Sequence, residues 1–300
     1  FLFLFLSACF CNCTKEDGIT PNWPKKADLP GNGRETAVAF AVSDKAYLGT
    51  GFNGSYLKDF WEYNPASNAW TQKADFGGTA RYRATGFSIG TNGYIGLGHD
   101  GIYKNDMWEY NPSSNTWTQK NPLPSPRSNA VAFVIGSKAY IATGYNGTAH
   151  LKDLWEFDPS ANTWVQKTAI PGNIRSMAFT FSIGGKGYLG GGYNTVVYFS
   201  DFYEYDPVPN TWTQRANFPT LRSDAASFVI DGKGYVGTGY DGDKWKHDFY
   251  QYDPATNVWT QKVDFIAARL RASGFSVNGR GYIAVGTSGD YEKTLFEYWP

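Results

Sequence analysis

Short apolar runs recur along the whole chain, and each is bounded by residues that favour turns. The runs are rich in Val, Ile, Tyr, Phe and Trp, with Gly, Asn, Asp or Pro on either side, which is the pattern of β-strands. Residues 234–239 and residues 59–63 are typical examples. No stretch of useful length repeats apolar residues with a helical period. The pattern therefore predicts an all-β protein built from many short strands.

Tryptophan marks the same point in successive repeats of this pattern. In five places it is followed by Thr or Val and then Gln, and these five are separated by 47, 47, 48 and 47 residues. They are Trp70, Trp117, Trp164, Trp212 and Trp259. Trp23 lies a further 47 residues before Trp70. A period of this length is typical of propellers and solenoids, so the chain contains six related units.

Each unit has its parts in the same order. It opens with an arginine, has a phenylalanine six positions later, and continues through two more apolar strands into the Trp strand. The arginines are Arg34, Arg81, Arg127, Arg175, Arg222 and Arg269. One four-stranded unit cannot bury both of its faces, whereas units stacked in a closed circle can. We therefore predict a six-bladed β-propeller of four-stranded antiparallel blades.

The propeller is expected to form one domain over residues 19–300. Its blades are predicted at residues 34–73, 81–120, 127–167, 175–215, 222–262 and 269–300, the last completed by residues 19–26. Residues 295–300 match the third strand of the first unit, and no Trp strand follows them. Trp23 and its neighbours supply that strand from the other end of the chain, and Pro24 is tolerated there because the fourth strand is an outer edge. We expect this N-terminal strand to close the ring.

These repeats resemble kelch repeats, which have a double glycine after the second strand, then Tyr and then Trp. The Tyr (or Phe) and Trp pairs are Tyr63 and Trp70, Tyr110 and Trp117, Phe157 and Trp164, Tyr205 and Trp212, and Tyr252 and Trp259. The double glycine is intact only at Gly191–Gly192. The resemblance covers residues 19–300. The propeller of galactose oxidase is built from the same type of repeat. It implies that ligands bind on the face that carries the loops at the channel mouth.

Composition excludes several functions. The 27 Lys and Arg residues balance the 27 Asp and Glu residues, so no basic surface for nucleic acid is expected. The three cysteines are Cys9, Cys11 and Cys13, so the globular part has no disulfide, thiolate metal site or cysteine nucleophile. The copper centre of galactose oxidase needs a cysteine crosslinked to a tyrosine, so that chemistry is excluded. No cofactor and no metal site are expected, because the three histidines occupy non-equivalent loop positions.

The first residues resemble an export signal. Residues 1–6 are apolar but too short to span a bilayer, and Leu6-Ser7-Ala8-Cys9 resembles the bacterial lipobox. The interpretation is a signal peptide end over residues 1–13, with lipidation at Cys9, and a polar tether over residues 14–18. The protein would then be an exported lipoprotein that lies in the outer membrane or faces the periplasm, with the cell surface as a further alternative. An ordinary secretory signal is the alternative interpretation.

Comparison of the six units separates structural from functional positions. The arginines recur in every unit, so they are interpreted as structural and expected to pair with the repeated Asp59, Asp106, Asp153, Asp201 and Asp248. The position two residues after each arginine varies and is expected to face the channel mouth. These positions are Thr36, Arg83, Asn129, Met177, Asp224 and Arg271. The ligand-binding candidates are Arg83, Asn129, Asp224 and Arg271, together with Tyr145, Tyr240 and Trp245 from loops on the same face.

Two functions remain open at this point. The first is a monomeric, non-catalytic propeller of the cell envelope that binds a glycan or a protein and reaches the membrane only through its lipid anchor. The second is a carbohydrate mutarotase, because six-bladed kelch proteins include the N-acetylneuraminate epimerases. That chemistry needs a proton-transferring carboxylate near arginines, for which Asp224 is the candidate. Glu35 and Glu292 are other non-repeated acids that are less well placed. A buried channel carboxylate with a raised pKa would favour the enzyme.

Overall fold

The computed structural model describes residues 22–300, which form 23 β-strands. Within this range no helix has the length and apolar character needed to cross a bilayer. The strands fall into six antiparallel sheets, each connected in sequence order from its first to its last strand. The predicted six-bladed β-propeller is therefore confirmed, and the sheets are called blades 1 to 6 in chain order.

The strands of blades 1 to 3 are β1 (Val38–Val42), β2 (Lys45–Gly49), β3 (Phe60–Asn64), β4 (Ala69–Lys73), β5 (Thr85–Ile89), β6 (Asn92–Gly96), β7 (Met107–Asn111), β8 (Thr116–Lys120), β9 (Val131–Ile135), β10 (Lys138–Ala142), β11 (Leu154–Asp158) and β12 (Thr163–Lys167). Those of blades 4 to 6 are β13 (Phe179–Ile183), β14 (Lys186–Gly190), β15 (Phe202–Asp206), β16 (Thr211–Gln214), β17 (Ala226–Ile230), β18 (Lys233–Gly237), β19 (Phe249–Asp253), β20 (Val258–Gln261), β21 (Ser273–Val277), β22 (Arg280–Ala284) and β23 (Leu295–Tyr298). The first strand of each blade lines the central channel.

The N-terminal segment completes blade 6, which has only three strands of its own among the residues described. The N–H of Lys26 donates to the carbonyl of Leu295 over 2.8 Å, and the N–H of Glu297 donates to the carbonyl of Pro24 over 3.0 Å. Lys25 and Phe296 form an antiparallel bridge between these two hydrogen bonds. The expected closure of the ring by the N-terminal strand is confirmed for residues 22–26.

The hydrophobic core lies between neighbouring blades. Phe133 in the first strand of blade 3 packs against Tyr205 and Trp212 of blade 4, with ring centroids 6.1 and 6.3 Å away. Gly187 in β14 leaves room for this ring, because a Cβ there would lie 2.1 Å from it. Since every blade must present this apolar face to its neighbour, the repeated aromatic residues are explained by packing.

Each repeated arginine is buried, and its side chain contacts the residue after the second strand and the residue before the third strand of its own blade. In blade 3 the guanidinium of Arg127 donates from Nη1 to Asp153 Oδ1 over 2.6 Å and from Nη2 to Oδ2 over 2.8 Å. Nη1 also donates to the carbonyl of Thr143 over 3.0 Å. Blades 1, 2, 4 and 5 contain the same ion pair, so the expected pairing is confirmed. In blade 6 the position of the aspartate is taken by Thr294, whose hydroxyl accepts from Arg269 over 2.9 Å.

The repeated arginine also ties each blade to the preceding one. Its carbonyl accepts a hydrogen bond of 2.7–3.0 Å from a glycine N–H of the preceding blade, as Arg127 accepts from Gly98. Gly98 has a φ of 89°, and a Cβ there would lie 2.8 Å from the carbonyl oxygen of Tyr82. Both observations restrict this position to glycine. The preceding residue is also left-handed in all six blades, yet it is a glycine only at Gly191, so the double glycine is incomplete elsewhere.

Candidate functional site

Six residues, one from each blade, form a closed ring of backbone hydrogen bonds at the channel mouth. The N–H of each residue donates to the carbonyl of its counterpart in the preceding blade over 3.0–3.3 Å, and Thr36 closes the ring by donating to Arg271. All six have a φ between 53° and 58°. The six are the variable positions Thr36, Arg83, Asn129, Met177, Asp224 and Arg271. Left-handed φ values in residues other than glycine carry strain, which tends to concentrate at functional sites.

The side chains of this mouth ring surround a cavity of about 210 Å³. The structure brings together four of the sequence candidates here, because Arg83, Asn129, Asp224 and Arg271 all line the cavity. Below it the channel widens into a space of about 490 Å³ lined by the first strands of all six blades. Small residues such as Ala39 and Gly86 face that space. The charged side chains that line the channel are therefore concentrated at its mouth.

Charge is distributed unevenly around the mouth. On one side Arg271 lies between two acids, with Nη1 2.9 Å from Glu35 Oε1 and Nε 3.8 Å from Asp224 Oδ1. Arg83 belongs to blade 2, directly opposite blade 5, and its guanidinium lies 5.1 Å from the centre of the Tyr82 ring. The buried Nε of Arg83 has no hydrogen-bond partner within residues 22–300. The mouth thus combines an acidic cluster on one side with an arginine on the other.

Asp224 has an unusual electrostatic environment. Its side chain is only 12% exposed. Burial raises the pKa of this carboxyl above its ordinary value, although Arg271 and Arg83 act in the opposite direction, and Glu35 adds to the increase. A carboxyl with a raised pKa can exchange a proton more readily near neutral pH than an ordinary aspartate.

Glu35 is a site residue that sequence reasoning undervalued. From the sequence it is predicted to be a non-repeated acid that is less well placed than Asp224. The structure buries Glu35 and pairs it with Arg271 across the junction of blades 6 and 1. These residues are 236 positions apart in the chain, so their contact follows from the closure of the ring. Comparison of the six residues that precede the ring could have singled out Glu35, because its counterparts are Tyr, Ser or Leu.

An aromatic belt surrounds the mouth on the same face. It consists of Phe52, Tyr56, Tyr82, His99, Tyr103, Tyr145, His150, Tyr193, Tyr198, Tyr240, Trp245 and Tyr291. From Tyr291 round to Tyr240 successive rings are in contact, with centroids 4.6–6.3 Å apart. Trp245 joins the belt through a β-bridge to Tyr240. Most of these side chains closely follow the repeated glycine in the sequence, so the loops of all six blades contribute to the belt.

The three loop candidates occupy different surroundings. Tyr240 and Trp245 line a second cavity of about 280 Å³, here called the side pocket, which also contains Asp224 and Arg271. Tyr145 lies outside both the mouth cavity and the side pocket. Its hydroxyl donates to the carbonyl of Gly147 over 3.0 Å, and its ring packs on His150. The structure therefore separates Tyr145 from the other two.

The histidines have separate neighbours. His150 is buried, with Nδ1 3.1 Å from Ser176 Oγ and Nε2 2.8 Å from Thr195 Oγ1, and burial lowers its pKa. His99 packs in the aromatic belt. His247 lies 3.6 Å from Asp264. In the part of the chain that the structure describes, no group of three His, Cys, Asp or Glu side chains is arranged to hold a metal ion. Cys9, the signal peptide end and the tether lie outside the described residues.

Comparisons with known proteins bear on the fold. A family model described as the KLHDC2/KLHL20/DRC7 Kelch-repeats domain matches residues 96–217. Among solved structures, the one titled "Structure of YjhT" is 19% identical, covers 90% of this chain and 95% of its own, and superposes with a TM-score of 0.76. No curated protein matches the sequence. With six blades in a closed ring the chain is a six-bladed β-propeller, and its residues 96–217 match kelch repeats.

Proposed function

We propose that this protein is a binding propeller that holds a sugar acid, free or at the end of a glycan, at the mouth of its channel. The observation that carries the proposal is the polarity of the mouth cavity. Within residues 22–300 the guanidinium of Arg83 has no ion-pair partner on its side of the mouth, and guanidinium groups bind carboxylates with two parallel hydrogen bonds. The cluster of Glu35, Arg271 and Asp224 opposite offers both donors and acceptors for hydroxyl groups.

A thermal-shift screen of residues 14–300 against sugars, sugar acids and cell-wall fragments tests this function. A ligand at about 100 times its dissociation constant stabilises the protein by roughly 2.7 kcal/mol. At roughly 2–4 °C per kcal/mol for a large domain, the melting temperature should rise by several degrees. We expect sugar acids to give the largest shifts and their uncharged parent sugars to give smaller ones. If no compound shifts the melting temperature, the proposal is wrong and a protein partner on the loop face becomes the better explanation.

One observation favours a second function, a sugar-acid mutarotase. The raised pKa of Asp224, between Arg271 and Arg83, is what a proton-transferring carboxyl in such a site requires. NMR exchange spectroscopy on freshly dissolved anomers of a bound sugar acid would reveal faster interconversion. In an enzyme, Asp224→Asn should abolish the acceleration while the sugar still binds. If the intact protein leaves the rate of interconversion unchanged, the protein is a binding module only.

We also propose that the propeller acts at the bacterial cell envelope, held there by a lipid on Cys9. The support is the lipobox-like sequence Leu6-Ser7-Ala8-Cys9 after an apolar run. Expressed in a Gram-negative host behind a complete signal peptide, the protein should incorporate labelled palmitate and sediment with membranes. Cys9→Ala should abolish both properties, since the acyl chains are attached at that residue. Equal labelling of the two proteins would contradict the anchor.

A further inference from the structure

The side pocket opens directly beside the mouth cavity. The two cavities share three lining residues, Met177, Asp224 and Arg271. The remaining lining of the side pocket comes from the loops of blades 4 and 5 and from Ser223 and Leu270. A ligand seated in the mouth can therefore continue into the side pocket without leaving the protein surface.

One wall of the side pocket is made of aromatic rings, and the three tyrosines among them hold one another in place. These rings are Tyr193, Tyr198, Tyr240 and Trp245. The hydroxyl of Tyr193 donates to the carbonyl of Thr195, and that of Tyr240 donates to the carbonyl of Gly242, both over 3.0 Å. The rings of Tyr193 and Tyr198 are 4.6 Å apart, and those of Tyr198 and Tyr240 are 5.4 Å apart. Because the three tyrosine rings restrain one another, that part of the wall exists before any ligand binds.

The opposite wall is polar and contributes one charge of each sign. Asp224 and Arg271 lie 3.8 Å apart there, and Glu35, which pairs with Arg271, is not part of the pocket lining. A cationic ligand would be attracted by the aromatic faces but opposed by Arg271, and an anion would be opposed by Asp224. A neutral ligand with hydroxyl groups along one edge and C–H groups on a face matches both walls, because aromatic faces are electron-rich. This is the chemistry of an uncharged pyranose ring.

The side pocket is a small cavity with room for a sugar ring. The pocket measures about 280 Å³, below the roughly 300–1,000 Å³ of pockets that enclose drug-sized ligands. Trp245 stands at its outer side and is 40% exposed. A ring in the pocket can therefore rest against Trp245 on one side and connect to the mouth past Asp224 on the other.

We infer that the side pocket is a second sugar subsite, which binds the neutral pyranose next to the acidic residue in the mouth. The ligand is then at least a disaccharide whose acidic residue occupies the mouth cavity. This inference rests on the proposed function, because it assumes a sugar acid in the mouth. Beyond the proposed function, it states that the ligand has at least two sugar residues, that the second residue is neutral, and that this residue stacks on Trp245.

Calorimetric titrations with two pairs of probes test the inference. The pairs are D-glucuronate with β-D-glucuronosyl-(1→4)-D-glucose, and N-acetylneuraminate with sialyllactose. In at least one pair the disaccharide or trisaccharide should bind about tenfold more tightly than the free acid, as expected for one good stacking contact. Trp245→Ala should reduce this ratio to about one, and Trp245→Phe should retain most of it.

Tyr56→Ala is the matched control. Tyr56 forms the equivalent β-bridge in blade 1 and is 37% exposed, but it lies outside the side pocket. The Tyr56→Ala variant should leave the ratio between the affinities for the longer ligand and the free acid unchanged. If the acids bind but the longer ligands bind no more tightly, or if Tyr56→Ala reduces the ratio as much as Trp245→Ala, the subsite is wrong and the mouth site stands. If none of the four compounds binds, the proposed function fails and the subsite with it.

Discussion

Replacing Trp23 with alanine is expected to lower the free energy of unfolding by about 3–5 kcal/mol, the usual range for a buried tryptophan. Trp23 is 3% exposed and contacts Phe249, Phe265 and Tyr298 with ring centroids 4.7–4.9 Å away. Its indole N–H donates to the carbonyl of Val263 over 3.3 Å. One side chain thus packs against blade 5 and blade 6 together, at the position where the ring closes.

Removal of all residues before residue 27 should have a larger effect than the substitution. It also deletes the hydrogen bonds between the N-terminal segment and β23 and the ion pair between Lys26 and Glu297. At roughly 2–4 °C per kcal/mol the melting temperature should fall by about 10 °C or more. Trp299→Ala is the control, since Trp299 lies directly after β23 but is 43% exposed. An unchanged melting temperature in the shortened chain would contradict closure by the N terminus.

Breaking one buried ion pair is expected to cost about as much as losing Trp23. Asp153→Ala leaves the guanidinium of Arg127 buried without its carboxylate, a change that typically costs about 3–5 kcal/mol. It also removes the acceptor of the Trp155 indole N–H, 2.7 Å away. Chemical denaturation followed by tryptophan fluorescence measures the loss. The double variant with Arg127→Met should recover part of the stability, because it removes the unpaired buried charge.

Blade 6 provides the converse test of the same interaction. Arg269 is buried, its nearest carboxylate is Glu292 at 3.7 Å, and Thr294 occupies the position of the aspartate. Thr294→Asp should raise the free energy of unfolding by roughly 1–2 kcal/mol, which is at the low end of the range of about 1.5–3 kcal/mol for hydrogen bonds to charged groups. Repulsion from Glu292 limits the gain. A destabilised Thr294→Asp together with an unaffected Asp153→Ala would show that the pairs do not support the blades.

The fold was predictable because the same aromatic packing and the same buried arginine recur from blade to blade. Trp70 pairs across the strands with Tyr63, as the fixed spacing of the Tyr and Trp residues implies. The spacing of each arginine and its aspartate likewise places a buried charge beside its partner. Ring closure could be predicted because the last unit lacks its Trp strand and an additional Trp strand, around Trp23, precedes the first unit.

The details of the site were less accessible to sequence reasoning, because they depend on the backbone and on contacts between distant units. The ring residues share a left-handed φ, yet Thr36, Met177 and Asp224 have no side-chain feature in common that would reveal it. The pairing of Glu35 with Arg271 exists only in the closed ring. The side pocket needs residues from blades 4, 5 and 6, so no single repeat contains its pattern.

The most direct test of ligand binding at the channel mouth is a calorimetric comparison of Arg83→Ala with Asp44→Ala. Asp44 lies in the turn between β1 and β2, on the opposite face, and its side chain is 66% exposed. With D-glucuronate and N-acetylneuraminate as ligands, Arg83→Ala should weaken binding by roughly 10–100-fold, as expected for loss of hydrogen bonds to a charged group. Asp44→Ala should leave binding unchanged. Weaker binding in Asp44→Ala, with intact binding in Arg83→Ala, would place the ligand on the other face and contradict the account.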